Sequence, residues 1–278
     1  MQMKKIEFKK LDKLPSRFYA KPAGADIGLA CIIDTETTGL DHVKDEVIEV
    51  GYVIVEYDKN TGDLYGVVDQ KDYLQAPKEP LSDKIKFITG LTDKDLAGNF
   101  IPWEVVSQDL EDVNLFVAHN AGFDRPMLEK YHAIFRQKPW ADSQTQIDWL
   151  KRTHMVKKSL ETLCLNVGEF LYNSHCALND AQALTQLLSG KDLEGVGLFK
   201  LLLDAARGPY YIIQAVGAPY DTKDILRERD YRWNRDDRVW QKVFMDDSQK
   251  DIEVEWLKKN ITSYPTVENV GSLDRFRD

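Results

Sequence analysis

Hydrophobic and polar residues follow two different spacings along the first two thirds of the chain. Runs rich in Val, Ile, Leu and Tyr, which are typical of strands, lie at 27–33, 47–57, 64–74 and 115–118. Apolar residues at helical spacing lie at 81–91, 103–110, 121–135, 157–170 and 177–188. Three strands in succession, followed by alternating strands and helices, predict an α/β fold with a mixed sheet flanked by helices.

The pattern changes after residue 190. An amphipathic stretch at 197–207 predicts a helix that bridges to a second unit. That unit has strand, helix, hairpin and helix patterns in order, which predicts a small β-α-β-β-α domain. The predicted organisation is an N-terminal segment at 1–26, a main domain at 27–190, a bridging helix at 191–207, the small domain at 208–262 and a tail at 263–278.

Composition narrows the class of protein. The chain has 278 residues, 43% of them hydrophobic and 30% charged, which is ordinary for a soluble globular protein. No apolar run approaches the roughly 20 residues needed to span a bilayer, and the basic N-terminus lacks the apolar centre of a secretory signal. Three cysteines do not form a disulfide framework, so a reducing cytoplasm is the expected location. The net charge of −9 argues against broad electrostatic binding of nucleic acid.

Four acids and one histidine are the candidate chemical groups. Asp34 and Glu36 follow the first strand run, Asp124 follows the short buried strand, and His175 and Asp180 flank the start of a helix. Residues two apart on a strand point to the same face, so Asp34 and Glu36 should lie together. Acids held close together resist ionising unless a cation is bound. Carboxylate oxygens suit Mg²⁺ or Mn²⁺, and two-metal sites of this kind hydrolyse phosphodiesters.

The sequence around these residues resembles a known enzyme family. The segments are 34–39 (Asp-Thr-Glu-Thr-Thr-Gly), 119–124 (His-Asn-Ala-Gly-Phe-Asp) and 175–181 (His-Cys-Ala-Leu-Asn-Asp-Ala). In this order they resemble the three motifs of the DEDDh 3′→5′ exonucleases, the family of polymerase proofreading subunits and ribonuclease T. The resemblance covers about residues 27–190 and implies a ribonuclease H-like fold, with 27–190 as the exonuclease domain.

The resemblance also implies roles for the five residues. Asp34 would be the ligand shared by two divalent cations, Mg²⁺ or Mn²⁺, and Glu36 would bind the cation that holds the attacking water. Asp124 would bind the cation on the leaving-group side, and Asp180 would complete the ligand set. His175 would be the general base that takes a proton from the water.

A second group of residues matches positions that contact the terminal nucleotide in this family. The expected substrate-binding residues are Thr35, Thr37, Leu40, His119, Asn120 and Phe123. Part of this contact would come from backbone amides, and simple packing is the alternative for Leu40 and Phe123. His119 is expected to be structural or to line the substrate rather than to act as the base.

The small domain contains aromatic residues interleaved with arginines. Tyr231, Trp233 and Trp240 lie among Arg232, Arg235 and Arg238. Such a surface could stack bases and hold phosphates. The alternative, which the patterning favours, is that the alternating aromatic residues form the core of a small hairpin.

These observations lead to one main functional prediction. The chain is expected to be a two-metal-dependent 3′→5′ exonuclease that hydrolyses single-stranded ends, with DNA favoured, to nucleoside 5′-monophosphates. One alternative is a proofreading or docking subunit that binds a polymerase or repair partner through 208–262. Others are a ribonuclease of the same family and an inactive nuclease fold used as a scaffold. Homodimerisation is expected by analogy with ribonuclease T-like relatives, and no membrane association is expected.

Overall fold

The computed structural model describes residues 9–262 and 264–277. Residues 1–8 of the expected N-terminal segment, and Ser263 and Asp278 of the expected tail, lie outside the described residues. Two compact units divide the chain: one contains the described residues up to Ala206 together with Phe276 and Arg277, and the other is Arg207–Arg275. Among the described residues, no helix has the length and apolar character that a membrane crossing requires.

The strands of the first unit include every strand predicted for the main domain. They are β1 (Lys9–Lys10), β2 (Ile27–Thr37), β3 (Val47–Asp58), β4 (Leu64–Leu74), β5 (Leu115–Ala118), β6 (Trp140–Asp142) and β7 (Phe170–Leu171). The helices are α1 (Asp83–Thr89), α2 (Asp93–Leu96), α3 (Trp103–Asp109), α4 (Ala121–Glu129), α5 (Ile134–Gln137), α6 (Ser143–Gln146), α7 (Trp149–Thr153), α8 (Leu160–Asn166), α9 (Ala177–Leu188) and α10 (Leu198–Arg207), the last of which runs into the second unit.

Five of these strands form a mixed sheet in the order β4-β3-β2-β5-β6. β2, β3 and β4 are an antiparallel meander, and β5 and β6 run parallel to β2. Side chains alternate across the central strand, so Ala30 and Ile32 join one hydrophobic cluster with α8 and α9, while Cys31 and Ile33 join another with α3 and α4. The α/β class with helices on both faces is therefore confirmed.

Helix α9 approaches the sheet very closely at Gly51 of β3. A Cβ atom at this position would overlap the backbone of Ala177 and Leu178 at the start of the helix. Only glycine allows this approach. Gly51 pairs with Asp34 across the β2–β3 ladder, so the close contact brings the first turns of α9 next to the end of β2.

Two helices differ from the sequence prediction. The expected helix at 121–135 is divided into α4 and α5. Between them, the Ile134 amide donates a hydrogen bond to Nδ1 of the His132 ring at 3.2 Å, in place of a hydrogen bond to a helical carbonyl. The expected helix at 157–170 is only α8, because the chain then turns to form β7, which pairs in parallel with β1. The strand β6 and the short helices α6 and α7 were not predicted.

The second unit contains a four-stranded antiparallel sheet. Its elements are β8 (Tyr211–Gln214), a 3₁₀ turn (Tyr220–Thr222), α11 (Lys223–Glu228), β9 (Arg232–Asn234), β10 (Val239–Phe244), α12 (Asp247–Asn260) and β11 (Thr266–Asn269), with the strand order β11-β8-β10-β9. The expected tail at 263–278 is thus partly wrong. Residues 266–269 form an edge strand on β8, which satisfies backbone groups of β8 that would otherwise be unpaired.

The aromatic residues of the second unit divide between the two interpretations. Tyr231 is buried in a core with Ile213, Leu226 and Leu257, and Trp240 packs against the same core. Trp233, in contrast, is 47% exposed and lies edge-on to Trp240 at 5.5 Å between ring centroids. Core formation therefore accounts for two of the three aromatics, and one remains on the surface.

Candidate active site

Three of the four expected acids converge at the end of β2. Asp34 and Glu36 share the face of β2 that carries Ala30 and Ile32, which is the face covered by α9. Asp180 is the fourth residue of α9. Asp34, Glu36 and Asp180 each offer one carboxylate oxygen within 4.8 Å of the others, and we call these three residues the carboxylate cluster.

The electrostatics of the carboxylate cluster are unfavourable without a counter-charge. Burial raises the pKa of Asp34 well above its usual value, and repulsion from Asp124, Asp180 and Glu36 raises it further. Burial followed by the charges of Asp180 and Glu49 raises the pKa of Glu36 to about 8. Convergent oxygen donors that repel one another fit a divalent cation such as Mg²⁺ or Mn²⁺, which would offset the repulsion.

Asp180 is held in a fixed orientation by three donors. The Tyr172 hydroxyl donates to Oδ1 at 2.8 Å, and the amides of His175 and Cys176 donate to Oδ2 at 2.8 and 3.2 Å. These hydrogen bonds favour the ionised carboxylate, although burial has the larger effect and raises the pKa of Asp180. Asp180 is therefore positioned before any cation binds.

Asp124 reaches the site from the opposite face of the sheet. It lies in α4, where the Thr35 hydroxyl donates to its Oδ1 at 2.8 Å. Thr35 alternates with Asp34 and Glu36 along β2, so its side chain points away from α9. Burial raises the pKa of Asp124 to about 7, against the lowering effect of the Thr35 hydrogen bond. Asp124 influences the pKa of Asp34 but lies outside the carboxylate cluster as defined by distance.

The ring of His175 lies beside another acid. Its Nε2 is 3.8 Å from Glu161 Oε1, and the side chain is 51% exposed. The backbone of His175 adopts a left-handed conformation with φ of 64°, and its amide points to Asp180. The structure thus brings the backbone of His175, rather than its ring, into contact with the carboxylate cluster.

His119 and Asn120 are part of the loop after β5. The two ring nitrogens of His119 contact the Ser143 hydroxyl at 2.8 Å and the Lys158 carbonyl oxygen at 2.6 Å, and burial lowers its pKa. The amide of Asn120 donates to Oδ1 of the buried Asp142 at 2.8 Å. Both ring nitrogens of His119 are already engaged within the fold, which fits a structural role.

The remaining expected substrate residues differ in whether their side chains are free to contact a substrate. The Thr37 hydroxyl is buried and donates to the Gly39 carbonyl at 2.6 Å. Leu40 is 79% exposed. The half-buried Phe123 ring lies 5.7 Å from the His42 ring between centroids. Leu40 and Phe123 therefore offer apolar surface, whereas the hydroxyl groups of Thr35 and Thr37 are used inside the fold.

Two residues near the site were missed by the sequence analysis. Tyr172 binds Asp180, and its position eight residues earlier in a loop gives no periodic signal. Glu49 lies directly opposite Glu36 in the β2–β3 ladder and is buried. A carboxylate within the apolar run Val47, Ile48, Val50 was a visible signal, because acids are almost never fully buried without a specific reason.

Convergent carboxylates of this kind are typical of cation-dependent nucleases. The sequence model of the RNase T family, described as exonuclease, matches residues 31–188, which is more than half of the chain. The chain therefore belongs to this exonuclease family, as the resemblance of its three motifs implies.

The chain is also similar to parts of individual longer proteins. The PolC-type DNA polymerase III of Thermotoga maritima is 31% identical over 163 residues, which cover 56% of this chain and 11% of the polymerase. The PolC-type enzyme of Halalkalibacterium halodurans is 31% identical over 167 residues, with the same two coverages. The chain thus spans about a tenth of the length of these relatives.

Among solved structures, exonuclease X in complex with 5′-overhanging duplex DNA is 24% identical with a TM-score of 0.45. The alignment covers 62% of this chain and 99% of that one. A 3′-exonuclease bound to the histone mRNA stem-loop is 16% identical with a TM-score of 0.44, covering 60% of this chain and 64% of that one. At these values, neither similarity bears on the substrate of this chain.

Proposed function

We propose that this chain is a 3′→5′ exonuclease that hydrolyses single-stranded ends, with DNA favoured, and releases nucleoside 5′-monophosphates. The convergence of Asp34, Glu36 and Asp180 within 4.8 Å is the observation that carries this proposal. We assign cation binding to these three residues and to Asp124. Membership of the exonuclease family supports the reaction class.

The protein would contribute position and charge rather than covalent chemistry. Two divalent cations, Mg²⁺ or Mn²⁺, supply an activated water and stabilise charge on the leaving oxygen when they are bound. Asp34 and Glu36 offer oxygens from one strand face, and Asp180 offers an oxygen already oriented by Tyr172. Asp124 accepts a hydrogen bond from Thr35 and approaches from the other face of the sheet. The carboxylates that would hold the cations therefore lie on two sides of the place proposed for the reacting phosphate.

We assign the role of general base to His175. A base must come within hydrogen-bond reach of the attacking water, and such contacts are often formed only when substrate is bound. The exposed His175 ring pairs with Glu161 at 3.8 Å, a weak contact that a side-chain rotation can break. His119, whose two ring nitrogens are engaged, is the poorer candidate.

We place the terminal nucleotide against the 35–40 segment, with its base or sugar on Leu40 and Phe123. The exposed Leu40 and half-buried Phe123 supply apolar contact, and backbone amides of the segment supply hydrogen bonds. Asn120 and His119 would line the same end of the pocket. A pocket of this kind accepts a free 3′-hydroxyl, whereas a closed circle has no end to insert.

The test compares matched substrates. Linear single-stranded DNA and RNA of one sequence, the same DNA with a 3′-phosphate, and a single-stranded DNA circle are incubated with Mg²⁺. We expect mononucleotide release from the linear DNA, slower release from RNA, and no cleavage of the blocked or circular DNA. Rapid cleavage of the circle would identify an endonuclease and overturn the proposal, and faster RNA digestion would favour the ribonuclease alternative.

A second candidate function is that of a proofreading or docking subunit. It is favoured by the similarity of residues in the first unit to part of PolC-type polymerases. In this case the second unit, including Trp233 on its surface, would bind a polymerase or repair partner. Deletion of 208–275, which retains Phe276 and Arg277 of the first unit, would then abolish partner binding and leave digestion of trinucleotides unchanged. Sedimentation of the full chain tests the expected homodimer.

Trp233 allows the strand-binding and partner-binding alternatives to be separated. Stacking on an aromatic ring contributes about 1–3 kcal/mol per base, so Trp233→Ala should weaken binding of long single strands about fivefold or more if bases stack there. Tyr231→Ala is the contrasting variant, and it should reduce stability because Tyr231 is buried. Unchanged strand binding by folded Trp233→Ala would favour the partner surface.

A further inference from the structure

A second group of metal-ligating side chains lies beside the carboxylate cluster. Glu49 is on β3, Asp72 is on β4, and Cys176 is the residue immediately before α9. One donor atom from each lies within 4.8 Å of the other two. We call Glu49, Asp72 and Cys176 the thiol cluster.

Glu49 supplies an independent observation that points to a missing ligand. The residue is only 2% exposed, and its Oε1 accepts a hydrogen bond from Cys176 Sγ at 3.2 Å. Its other oxygen, Oε2, is buried and accepts no hydrogen bond from the described residues. A buried carboxylate oxygen without a donor is costly, because it has lost its hydration without replacement.

Hydrogen bonds from the Cys176 thiol and the Ala177 amide compensate the charge of Glu49 only in part. Burial and then the neighbouring charge of Asp72 raise the pKa of Glu49 to about 7. The nearest lysine along β4, Lys71, pairs with Asp69 at 3.3 Å instead. A single bound cation would both supply the missing partner of Glu49 Oε2 and offset the repulsion between the carboxylates of Glu49 and Asp72.

The donor chemistry indicates which cation would bind. Mg²⁺ and Ca²⁺ select oxygen ligands, whereas a cysteine thiolate selects softer ions. Zn²⁺ binds Cys, Asp and Glu at about 2.0–2.3 Å, and three protein ligands with one open position are a common Zn²⁺ arrangement. Asp72 is exposed and Cys176 half-buried, which gives solvent and ion access to the fourth position.

We propose that Glu49, Asp72 and Cys176 form a binding site for a thiophilic divalent cation, and that this cation is Zn²⁺. The site is distinct from the carboxylate cluster, whose donors are all oxygens. It joins β3, β4 and the start of α9, and so would tie the helix that carries Asp180 to the sheet. Its existence does not depend on the proposed nuclease activity.

The decisive experiment uses Co²⁺ as a spectroscopic substitute for Zn²⁺. The full chain is stripped with a chelator and titrated with Co²⁺, and the near-ultraviolet thiolate-to-cobalt band is measured. We expect the band in the wild-type chain and in Asp34→Asn, since Asp34 lies in the other cluster. We expect Cys176→Ser to lose it and Asp72→Asn to bind Co²⁺ at least about tenfold more weakly.

The matched controls exclude other sources of the signal. Asp69→Asn removes a carboxylate from the same strand outside the site and should leave the band unchanged. Metal analysis should find one Zn²⁺ that the wild-type chain retains and Cys176→Ser does not, and Cys176→Ala provides a second check if Cys176→Ser unfolds. Absence of the band in the wild-type chain, or its survival in both folded Cys176 variants, would overturn the proposal.

Discussion

The carboxylate cluster and the thiol cluster are neighbours with different ligand chemistry. Both include residues at or just before the start of α9, and both contain carboxyl groups whose pKa values are raised by burial. The first offers only oxygens, whereas the second includes the Cys176 sulfur. On the assignments proposed above, the kind of donor atom, rather than the number of acids, would distinguish the cations that the two adjacent clusters bind.

The two clusters also differ in how their carboxylates are held. Both oxygens of Asp180 accept hydrogen bonds, from Tyr172 on one side and from backbone amides on the other. Glu49, in contrast, leaves Oε2 without a donor among the described residues. Asp180 is therefore oriented before any cation binds, whereas Glu49 has a buried oxygen that a bound cation would satisfy.

The largest expected difference between the clusters is in catalysis. Asp34→Asn should reduce nucleotide release in Mg²⁺ by about a thousandfold or more, because it removes the ligand assigned to both cations. Asp72→Asn should change the rate by no more than a few-fold. The measurement is the initial rate on a linear single strand. Comparable losses in the two variants would mean that the clusters act as one site.

His175 is expected to have the next largest effect. His175→Ala should slow hydrolysis by about a hundredfold or more, because general base catalysis typically contributes that much. His154→Asn, at the C-terminal end of α7 and outside the three motifs, is the control. A loss of rate in His175→Ala no larger than that in His154→Asn would assign the base to another group.

A smaller effect is expected from the two threonines on β2. Thr35→Val removes the hydroxyl that donates to the buried Asp124, a hydrogen bond to a charged group worth about 1.5–3 kcal/mol. If that orientation is needed for catalysis, the rate should fall about tenfold. Thr37→Val loses only a hydrogen bond to the Gly39 carbonyl and should have less effect. Equal effects would show that Asp124 is positioned without Thr35.

The pH dependence of stability should be the smallest effect. The pKa of Glu36 is raised to about 8 and that of Asp124 to about 7, from ordinary values of 4.5 and 3.8. Between the ordinary and raised values, the folded chain binds protons that the unfolded chain has released. The free energy of unfolding of the metal-free chain should therefore be highest near pH 4 and fall up to about pH 8.

Thermal unfolding in a chelator tests this pH dependence. Mg²⁺ should raise the melting temperature most at the alkaline end, because the acids are ionised there and bind the cation without releasing protons. Asp34→Asn should flatten the profile. A melting temperature that rises steadily from pH 4 to pH 8 in the chelated wild-type chain would contradict the raised pKa values.

Much of the first unit could be predicted because its signals are local. The strands β4 and β5 and the helix α9 agree with the sequence pattern residue for residue, since strong periodicity defines them. The short β6 was missed because three residues give no periodicity, although Trp140 and Asp142 are buried. The strand β11 was missed because its residues are exposed, and only pairing with β8 defines it.

The candidate site could be predicted in composition but not in arrangement. The motif order identified Asp34, Glu36 and Asp180, and strand alternation correctly placed the first two on one face. The contact of Thr35 with Asp124 depends on which face of the sheet α4 covers. The position of Glu49 opposite Glu36 depends on the register in which β2 and β3 pair. Both are tertiary features that a single sequence does not encode locally.

Binding of Mn²⁺ is the most direct test of the central claim that the carboxylate cluster holds catalytic cations. Electron paramagnetic resonance measures free Mn²⁺ in titrations of two chains, both carrying Cys176→Ala so that the thiol cluster does not contribute. One chain has Asp34 and the other has Asp34→Asn. We expect the chain with Asp34 to bind Mn²⁺ at least about tenfold more tightly, in parallel with its nuclease activity. Equal Mn²⁺ affinity in the two chains would contradict the account.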